Sequence, residues 1–513
     1  MNPLASSKCA RRLLMALAAI SGIFITAGCG SSGSIQSLGG GFSNSSLKGQ
    51  YVISQTGIGI NQALTSNDPF SETIVFTSDG GGHLTIPVDD FNQDGTPYGL
   101  TSSLTGTYSI ASDGTGSLLF NGSNYAITMI DDSHFYVIEQ DTFATASGFG
   151  EKQDTTAFTA APSGTFVFKA HNLQASSRVG GITITSGAIS GTEDILTFAL
   201  LSSNIPIETS VAMTAPNSTT GRGTFTLSDG TSFGYYVVNA SKFHIMSSSG
   251  ALEIGQAEAQ TAPAGGFSAA TLAANTSYVF GSSGDTTVSG TAGIHSAGVF
   301  TTDGNGNIEA GSSSVPGAVD YVQDATVNSN LAVAAGSTYT LASNGHGTTN
   351  LVLTGGTIIE QVFWMVNGTS AYFLALHTTS AGTIEDGTFS QQTGGPFTAL
   401  TSPAAFVMDG FDVAYKDRVG AFKPTATSFN WNQAANSFDP TVSNGGLPSA
   451  IGTNGTYQVS SNGRATVVVN GVTASGVNPG VVFYLSSANT GFMVQEDVVG
   501  VDIGGAFSQQ ASQ

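Results

Sequence analysis

Cysteine is nearly missing from this sequence: the 513 residues include two, Cys9 and Cys29, and both lie before residue 30. A disulfide framework in the body of the chain is therefore excluded, and a chain of this length has to be stabilised by buried apolar area. Tryptophan is equally rare, with only Trp364 and Trp431. Since carbohydrate-binding faces use several stacked rings, this count argues against such a face, while the 14 tyrosines keep it open.

Charge is also scarce, and positive charge most of all. Charged residues make up 9% of the chain, with 13 Lys and Arg against 34 Asp and Glu, for a net charge of −21. Nucleic-acid binding and polybasic contact with anionic lipid both need clustered Lys and Arg, so the sequence argues against both. The surface has to be built from Ser, Thr, Asn, Gln and the 67 glycines, a composition typical of exported all-β proteins with many turns.

Only one long apolar run exists, Leu13 to Ile25, and it is too short to span a bilayer comfortably. Basic residues precede it and the small residues Thr26-Ala27-Gly28 follow, which is the order of an export signal. These small residues before Cys29 resemble the lipobox of bacterial lipoproteins, although Thr26 stands where that family usually has Leu. The resemblance implies a signal peptide over residues 1–28 and a diacylglycerol on Cys29. The alternative is an ordinary secretory signal with an incidental cysteine.

A Gly/Ser-rich segment, residues 29–45, follows Cys29 and is predicted to be a flexible tether. In the lipoprotein family an Asp after the lipidated Cys retains the protein at the inner membrane. Gly30 stands here instead, which implies an outer-membrane address, periplasmic or surface-facing. The predicted membrane contact is thus the lipid on Cys29.

The rest of the chain repeats itself four times. The turns of "GTYSIASDGTGSLLF", "TGRGTFTL", "STYTLASNGHGTTNLVL" and "GTYQVSSNGRATVVV" are related, and their marker glycines are Gly114, Gly221, Gly345 and Gly463. Every repeat opens with an alternating strand and closes with a Gly, an apolar or aromatic residue and a Gln. The spacing is domain-sized, so we predict β domains over residues 46–153, 163–260, 275–392 and 397–510, joined by short linkers.

Strand signals fix the predicted fold class. In the first repeat they indicate eight strands: Gln50–Gln55, Glu72–Thr77, His83–Val88, Gly106–Ala111, Gly116–Asn121, Asn124–Ile130, His134–Gln140 and Gly148–Lys152. Sequential strands joined by D-G and N-G turns form a meander, which closes most simply as an up-and-down barrel. The prediction is an all-β chain of four barrel-like domains, with two-sheet sandwiches as the alternative.

Two family resemblances accompany this prediction. The ladder of repeated D-G-x-G turns behind a lipobox resembles the tandem-repeat, β-rich lipoproteins of bacteria, a family without an established reaction to transfer. The opening strand "LKGQYVIS" (Leu47–Ser54) is similar to the start of lipocalin-like barrels.

Two acidic turns are candidate calcium sites. "FTTDGNGNIEAG" (Phe300–Gly311) offers one carboxylate, Asp303, whereas calcium takes six to eight oxygens, so a hairpin turn is the preferred interpretation. Asp90, Asn92 and Asp94 match the first half of a calcium loop, but Thr101 replaces the bidentate Glu and no helices flank the segment. An Asx-rich connection between strands is the competing interpretation.

No other motif predicts catalysis. Gly230 to Gly234 reads G-T-S-F-G, yet a strand rather than a helix is expected after it, so the nucleophile pattern is taken as incidental. The seven histidines have no partner at metal spacing, and His134 and His244, near equivalent strand starts, are predicted to be solvent-exposed. Asp131, Asp132 or Glu139 would have to assemble in space to hydrolyse a glycoside, and solvated acids in turns are the simpler interpretation.

The predicted function is a lipid-anchored envelope protein with a binding, adhesive or structural role, without catalysis and without a cofactor. Its partner would be an envelope or extracellular glycan or protein. The alternatives are a barrel that carries a small apolar ligand and an envelope hydrolase that acts on carbohydrate.

Overall fold

The computed structural model describes residues 41–60, 67–100, 102–172, 176–198, 200–285, 293–308, 316–323, 326–377, 383–411, 415–438, 446, 448–497 and 502–511. These residues form 34 β-strands and three short 3₁₀ helices, at Asn44–Ser46, Thr155–Ala157 and Ala269–Thr271. The predicted all-β class is confirmed, and the strands form four consecutive barrels or half-barrels. The predicted signal peptide, Cys29 and most of the predicted tether lie outside the described residues.

Barrel 1 follows the meander expected from the sequence. Its strands are β1 Lys48–Ile60, β2 Asn67–Asp79, β3 His83–Gln93, β4 Thr96–Tyr98, β5 Leu104–Ile110, β6 Thr115–Phe120, β7 Ser123–Met129, β8 His134–Gln140 and β9 Ala144–Lys152. Pairing of β1 with β9 and of β2 with β3 closes the sheet. All eight predicted strands are present; β1 to β3 run further than predicted, and the short β4 was not predicted.

Barrel 2 is a closed eight-stranded barrel. Its strands are β10 Gly164–Asn172, β11 Ser176–Thr185, β12 Ala188–Thr197, β13 Leu200–Val211, β14 Arg222–Leu227, β15 Ser232–Asn239, β16 Lys242–Ser247 and β17 Glu253–Ala259.

Barrel 3 is a nine-stranded sheet whose end strands, β21 and β22, are not neighbours in its ladder. Its strands are β18 Thr276–Asp285, β19 Gly293–Thr302, β20 Ala318–Gln323, β21 Thr326–Ala332, β22 Thr338–Leu341, β23 His346–Val352, β24 Ile358–Asn367, β25 Ser370–His377 and β26 Ile384–Gln391.

Barrel 4 is closed again. Its strands are β27 Ala404–Phe411, β28 Tyr415–Pro424, β29 Ser428–Phe438, β30 Ser449–Val459, β31 Arg464–Val469, β32 Val481–Ser487, β33 Thr490–Gln495 and β34 Asp502–Gln509.

Each barrel has an apolar core of its own, because alternate residues of every strand point inward. In barrel 1 the predicted inward face of β7, with Tyr125, Ile127 and Met129, is fully buried beside Phe135 and Val137. The segments predicted to be linkers also belong to these cores. A phenylalanine before each first strand enters the barrel that follows it: Phe42, Phe158, Phe267 and Phe397, none more than 5% exposed.

The barrels also pack against one another through their outer faces. Separate buried apolar clusters join barrels 1 and 2, barrels 2 and 3, and barrels 3 and 4. A further cluster joins barrel 4 back to barrel 1, with Val419 against Ala126 and Ile138. The four barrels therefore form a closed ring rather than a string of separate domains.

The closing glutamine of each repeat makes the same contact with the next barrel. Gln153 Nε2 donates to Val237 O (2.6 Å), Gln260 Nε2 to Met365 O (2.8 Å), Gln392 Nε2 to Leu485 O (2.7 Å) and Gln510 Nε2 to Met129 O (2.9 Å). The fourth of these bonds runs from the last repeat to the first and closes the ring.

Each closing glutamine packs against the marker glycine of the neighbouring barrel. A Cβ added to Gly114 would lie 2.7 Å from Gln510 Nε2, and the corresponding distance at Gly345 from Gln260 Nε2 is 2.6 Å. Both glycines also have positive φ, +85° and +93°. These turns therefore require glycine both for the backbone conformation and for the close approach of a neighbouring barrel.

Candidate functional site

A cavity of about 360 Å³ lies at the centre of the ring, and residues of all four barrels line it. Its walls come mainly from the first and last strands of each barrel, where the closing strands carry Gly148, Gly255, Gly387 and Gly505. At each of these positions a Cβ would lie within 2.2 Å of a carbonyl oxygen on the paired first strand. The glycines thus allow the two strands that face the ring centre to lie close together. A volume of this size is in the range of small-molecule sites.

Three charged side chains of the central cavity, Lys169, His171 and Asp386, form a network between barrels 2 and 3. His171 Nδ1 on β10 lies 2.7 Å from Asp386 Oδ2 on β26, and Lys169 Nζ lies 3.4 Å from Asp386 Oδ1. Burial opposes the ionisation of Asp386, but Lys169 and His171 outweigh it and hold the pKa of this carboxyl well below its usual range. The same carboxylate raises the pKa of His171 above the ordinary histidine value, against the effect of burial. Both directions favour an ionised carboxyl on Asp386 and a protonated imidazole on His171.

A smaller cavity of about 110 Å³ adjoins the first, and His171, His295 and Asp409 line both. Asp285 and Asp417 also line it. Burial raises the pKa of Asp285 to about 6, and Asp386 and Asp409 add to this rise while His171 opposes it.

Two of the acids on the barrel 4 side are held by hydroxyl groups of barrel 1. Thr145 Oγ1 donates to Asp417 Oδ2, and Ser147 Oγ donates to Asp409 Oδ2. Burial and then the charge of Asp409 raise the pKa of Asp417 well above its ordinary value. The ring centre is thus strongly acidic where barrels 1, 3 and 4 meet.

The other candidate cavity, inside barrel 2, is far smaller, at about 30 Å³. Its polar end holds Arg178, whose Nη2 lies 2.9 Å from Glu253 Oε1 and whose Nη1 lies 3.5 Å from Glu193 Oε1. Burial raises the pKa of Glu193 to about 7. This volume is close to that of a single water molecule, so this barrel is filled by its own side chains.

The weak calcium candidate lies at the junction of barrels 1 and 2. Asp90 Oδ2 accepts hydrogen bonds from Arg222 Nε and Tyr236 Oη of barrel 2. Asn92 Nδ2 donates to three carbonyl oxygens of barrel 2, the shortest bond being 2.7 Å to Ala251. Asp94 has positive φ and forms, with Gly95, the two-residue turn between β3 and β4. The acidic pattern therefore has a structural use, and calcium binding by it stays a prediction.

The same arrangement recurs between barrels 3 and 4. Arg464 Nη2 lies 2.7 Å from Asp320 Oδ1, and Tyr484 Oη donates to Asp320 Oδ2. Sequence reasoning missed this, because neither acid is near its arginine along the chain. The available signal was the Arg that follows the marker glycine in two of the four repeats, at positions 222 and 464.

The turn at Asp303 is a hairpin end. Asp303 Oδ1 accepts from the backbone nitrogens of Asn305 (2.7 Å) and Asn307 (3.0 Å), and Gly304 and Gly306 have φ of +76° and +105°. A hydrogen bond of 2.6 Å from Asn307 Nδ2 to Asp303 Oδ2, together with these backbone bonds, lowers the pKa of Asp303. Residues 309–311 of the stretch lie outside the described residues.

Among the other sequence candidates, His244 is the one whose predicted exposure is wrong. It is fully buried, and its Nε2 lies 2.8 Å from Glu151 Oε2 of barrel 1. His134 is about half-exposed, as predicted, with Nδ1 2.9 Å from Asp131 Oδ1. Ser232 of the G-T-S-F-G pattern begins strand β15, so no strand-to-helix elbow exists there.

The candidate glycosidase acids do not meet at one point. Asp131 caps the turn before β8, while Glu139 lies near the other end of β8 and is fully buried. Both tryptophans are buried, Trp364 between barrels 2 and 3 and Trp431 in the core of barrel 4. Neither is available as an exposed stacking platform.

Within the described part of the chain, no group of three or more His, Cys, Asp or Glu side chains has a geometry that could hold a metal ion. No helix among the described residues is long and apolar enough to cross a membrane.

Comparison with known proteins gives distant structural overlaps only. No family model matches the sequence, and no curated protein does. Transferrin-binding protein B from serogroup B Neisseria meningitidis is 8% identical, with 67% of this chain and 76% of that chain covered, at a TM-score of 0.19. A mutant of the same antigen from Haemophilus parasuis is 9% identical, with coverages of 67% and 76% and a TM-score of 0.18. CghA, solved with Sch210972, is 10% identical, with coverages of 67% and 88% and a TM-score of 0.18. At these TM-scores the overlaps carry no argument about what this chain does.

Proposed function

We propose that this chain is a lipid-anchored protein of the bacterial envelope whose four barrels form a rigid ring that binds a small polar ligand at its centre, without catalysis. The observation that carries the proposal is the central cavity of about 360 Å³, because no single barrel forms it. A ligand held there contacts four domains at once and is recognised only by the closed ring.

The lining supports a polar ligand. Lys169, His171, Asp386 and Asp409 present charged groups, and Ser283 is an exposed hydroxyl on the walls of both cavities. The alternative of an apolar ligand inside a barrel has less support, because the described interior of barrel 2 leaves room for about 30 Å³. An apolar carrier would need a roomy, dry interior.

The binding proposal is tested by filling the cavity. A library of small polar compounds is screened by ligand-observed NMR against the wild-type ring and against Ser283→Trp, whose indole would occupy the space shared by both cavities. We expect compounds that bind the wild type and lose binding in Ser283→Trp, while the two proteins melt alike. Absence of any such compound would contradict binding at the ring centre.

The anchoring proposal rests on the lipobox-like sequence before Cys29. Radiolabelled palmitate fed to expressing bacteria should enter the wild-type protein and not Cys29→Ser. Equal labelling of the two proteins would contradict lipidation at this residue.

A further inference from the structure

Three of the four junctions between neighbouring barrels share one arrangement. An acid on the third strand of one barrel contacts the Arg or His that follows the marker glycine of the next barrel, and also the Tyr or Trp that pairs with this residue across the strands. The three sets are Asp90 with Arg222 and Tyr236, Asp194 with His346 and Trp364, and Asp320 with Arg464 and Tyr484. Each of these junctions therefore sets a basic side chain against an acid.

The fourth junction, where barrel 4 meets barrel 1, has neutral residues in the corresponding places. Asn432 is on the third strand of barrel 4, and in barrel 1 Thr115 follows Gly114 and pairs with Thr128. The acid here is Asp113, which accepts from Asn432 Nδ2 at 2.8 Å and from Thr115 Oγ1 at 2.6 Å. We call this junction, formed by β7–β9 against β27–β29, the seam. It is also the junction between barrels that are not consecutive in the chain.

The inner edge of the seam buries a carboxyl group against neutral and acidic groups. Asp417 on β28 is 3% exposed and accepts a hydrogen bond from Thr145 Oγ1 of barrel 1. The charges that act on its pKa come from Asp409 of barrel 4 and Glu139 of barrel 1, and both are negative. The other titratable groups in the wall of the same cavity are Asp285, His171, His295 and Tyr415. Burial and then Asp409 raise the pKa of Asp417 well above its ordinary value, against the bond from Thr145.

The junction between barrels 1 and 2 treats its buried acid in the opposite way. Glu151 of barrel 1 has Lys242 Nζ at 2.9 Å from Oε1 and His244 Nε2 at 2.8 Å from Oε2, both from barrel 2. Burial opposes the ionisation of Glu151, but His244 and Lys242 outweigh it and lower the pKa of this carboxyl to about 2. Contact between barrels 1 and 2 therefore favours a charged acid, whereas contact at the seam favours a neutral one.

Protonation of Asp417 and closure of the seam are coupled for this reason. If barrel 1 moves away from barrel 4, water surrounds the carboxyl group and its pKa becomes the ordinary value of about 4. A group whose pKa is higher in the closed ring stabilises the closed ring fully below about pH 4. That contribution is lost as the pH rises towards the closed-state pKa, so the opening constant increases by up to about tenfold per pH unit in this range.

We infer that the ring opens at the seam and that a rise in pH promotes this opening, while barrels 1 and 2 stay joined. This inference goes beyond the proposed function, since it concerns a movement of the ring and not its ligand. Barrel 1 contributes Ser147 and barrel 4 contributes Asp409 to the wall of the central cavity. Opening at the seam therefore parts that wall and gives a ligand a route in and out.

Rare opening of a junction is measured by the reactivity of a buried thiol. Val419 (1% exposed) lies in an apolar cluster of the seam, and Val75 (0%) lies in the cluster between barrels 1 and 2. Both are on the second strand of their barrel, so Val419→Cys and Val75→Cys are matched probes. Each is made in a chain that starts after the signal segment and carries Cys29→Ser, which leaves one thiol. The rate of labelling by 4,4′-dithiodipyridine, divided into the rate for the same chain unfolded in urea, gives a protection factor at each pH.

The two thiols should respond differently to pH. Between pH 5 and 6.5 the protection of Val419→Cys should fall by up to about 30-fold, which is about tenfold per pH unit. The protection of Val75→Cys should stay constant in this interval. Glu151, whose pKa is lowered, contributes fully above about pH 4.5, and His134, whose pKa is raised chiefly by its hydrogen bond with Asp131, contributes fully below about pH 6.5.

Variants show whether Asp417 causes the fall. Asp417→Asn, added to Val419→Cys, should remove about tenfold or more of the fall, because an amide does not ionise. Asp409→Asn removes a negative neighbour of Asp417 and should reduce the fall as well, and it decides the question if Asp417→Asn does not fold. Glu360→Gln, a change in an exposed acid of β24, should leave the fall intact. Melting curves verify that each variant is folded.

Three results would overturn the inference. Equal responses of the two thiols to pH would show global unfolding and not opening at the seam. Protection of Val419→Cys that does not change between pH 5 and 6.5 would show that no such opening exists. A fall that persists undiminished in Asp417→Asn and Asp409→Asn would show that the buried carboxyl group does not drive it. None of these results bears on the compound screen with Ser283→Trp, which tests the proposed function separately.

Discussion

The side-chain amide of Gln510 donates a hydrogen bond of 2.9 Å to the carbonyl oxygen of Asp113, which lies 397 residues earlier in the chain. The same amide reaches Met129 O, and the backbone nitrogen of Ala511 donates to Ile130 O at 2.9 Å. The end of the last repeat is therefore fixed to the first, in the way that each earlier repeat is fixed to its successor.

Removing this amide should weaken the ring at its closing contact. Gln510→Ala leaves two buried carbonyl oxygens without their donor, so we expect the free energy of unfolding to fall by about 1–3 kcal/mol. Urea denaturation measures it. Gln509→Ala is the control, because Gln509 is the exposed neighbour. Equal effects of the two substitutions would show that Gln510 does not hold the ring.

A marker glycine and an ordinary turn glycine separate backbone strain from inter-barrel packing. Gly114 and Gly230 have similar positive φ, +85° and +91°, but only Gly114 has a neighbour near its missing Cβ. Both Gly→Ala substitutions should cost about 1 kcal/mol of backbone strain. Gly114→Ala should cost about 1–2 kcal/mol more, since Gln510 has to move.

A double substitution verifies the source of that difference. If Gln510→Ala is introduced first, the added cost of Gly114→Ala should fall towards that of Gly230→Ala, and Phe42 Cδ2 at 3.1 Å and Met129 O at 3.2 Å from the new Cβ account for what remains. Strictly additive effects would contradict direct contact between the glycine turn and the glutamine.

The hairpin at Asp303 predicts a particular response to substitution. Gly306→Val should destabilise barrel 3 by about 1–3 kcal/mol, because a β-branched side chain cannot easily adopt φ of +105°. Asp303→Asn should have little effect, since one side-chain oxygen remains to accept the backbone bonds. Melting with calcium and with chelator measures both. A calcium-dependent rise that Asp303→Asn removes would show a metal site instead.

The acids at the ring centre predict a pH dependence. Burial raises the pKa of Asp285 to about 6, so the folded state favours its protonated form. Its contribution to stability is therefore complete below about pH 4 and is lost as the pH rises through about 6. Asp285→Asn should be more stable than the wild type at pH 7.5, by roughly 1–3 kcal/mol, and similar to it at pH 4. Denaturation at the two pH values measures the difference, with Glu360→Gln as control because Glu360 is an exposed acid of β24. A lower stability of Asp285→Asn than of the wild type at pH 7.5 would contradict a carboxyl group whose ionisation is opposed by burial.

How much the sequence could predict depended on how far apart the interacting residues are. Turn glycines and alternating strands act locally, which is why the strands of barrel 1 and the inward face of Tyr125, Ile127 and Met129 were predictable. The closing glutamines were visible as a repeat signature, but nothing near Gln153 along the chain indicates that its amide meets Val237.

The failures have the same physical cause. His244 was predicted to be exposed because its partner, Glu151, belongs to another barrel. Calcium binding at Asp90 and Asn92 stays a prediction, but the partners of these residues in barrel 2 could likewise not be inferred from spacing along the chain. The acidic ring centre was not predicted at all, since Asp285, Asp409 and Asp417 come from strands of two barrels that only the closed ring brings together.

Closure of the ring is tested most directly by distances between equivalent sites. Thr107, Thr338 and Thr456 are exposed strand residues, and each precedes the tyrosine of its repeat. Because the chain has no cysteine after residue 29, Cys substitutions at these threonines can be spin-labelled in pairs, in a chain that starts after the signal segment and carries Cys29→Ser. Pulsed electron–electron double resonance then measures the distances between the spin labels on barrels 1, 3 and 4. The closed ring predicts a narrow distribution of distances between Thr107 and Thr456. Its mean should be similar to that between Thr338 and Thr456 and shorter than that between Thr107 and Thr338. A broad Thr107–Thr456 distribution, centred at the longest of the three distances, would contradict the ring.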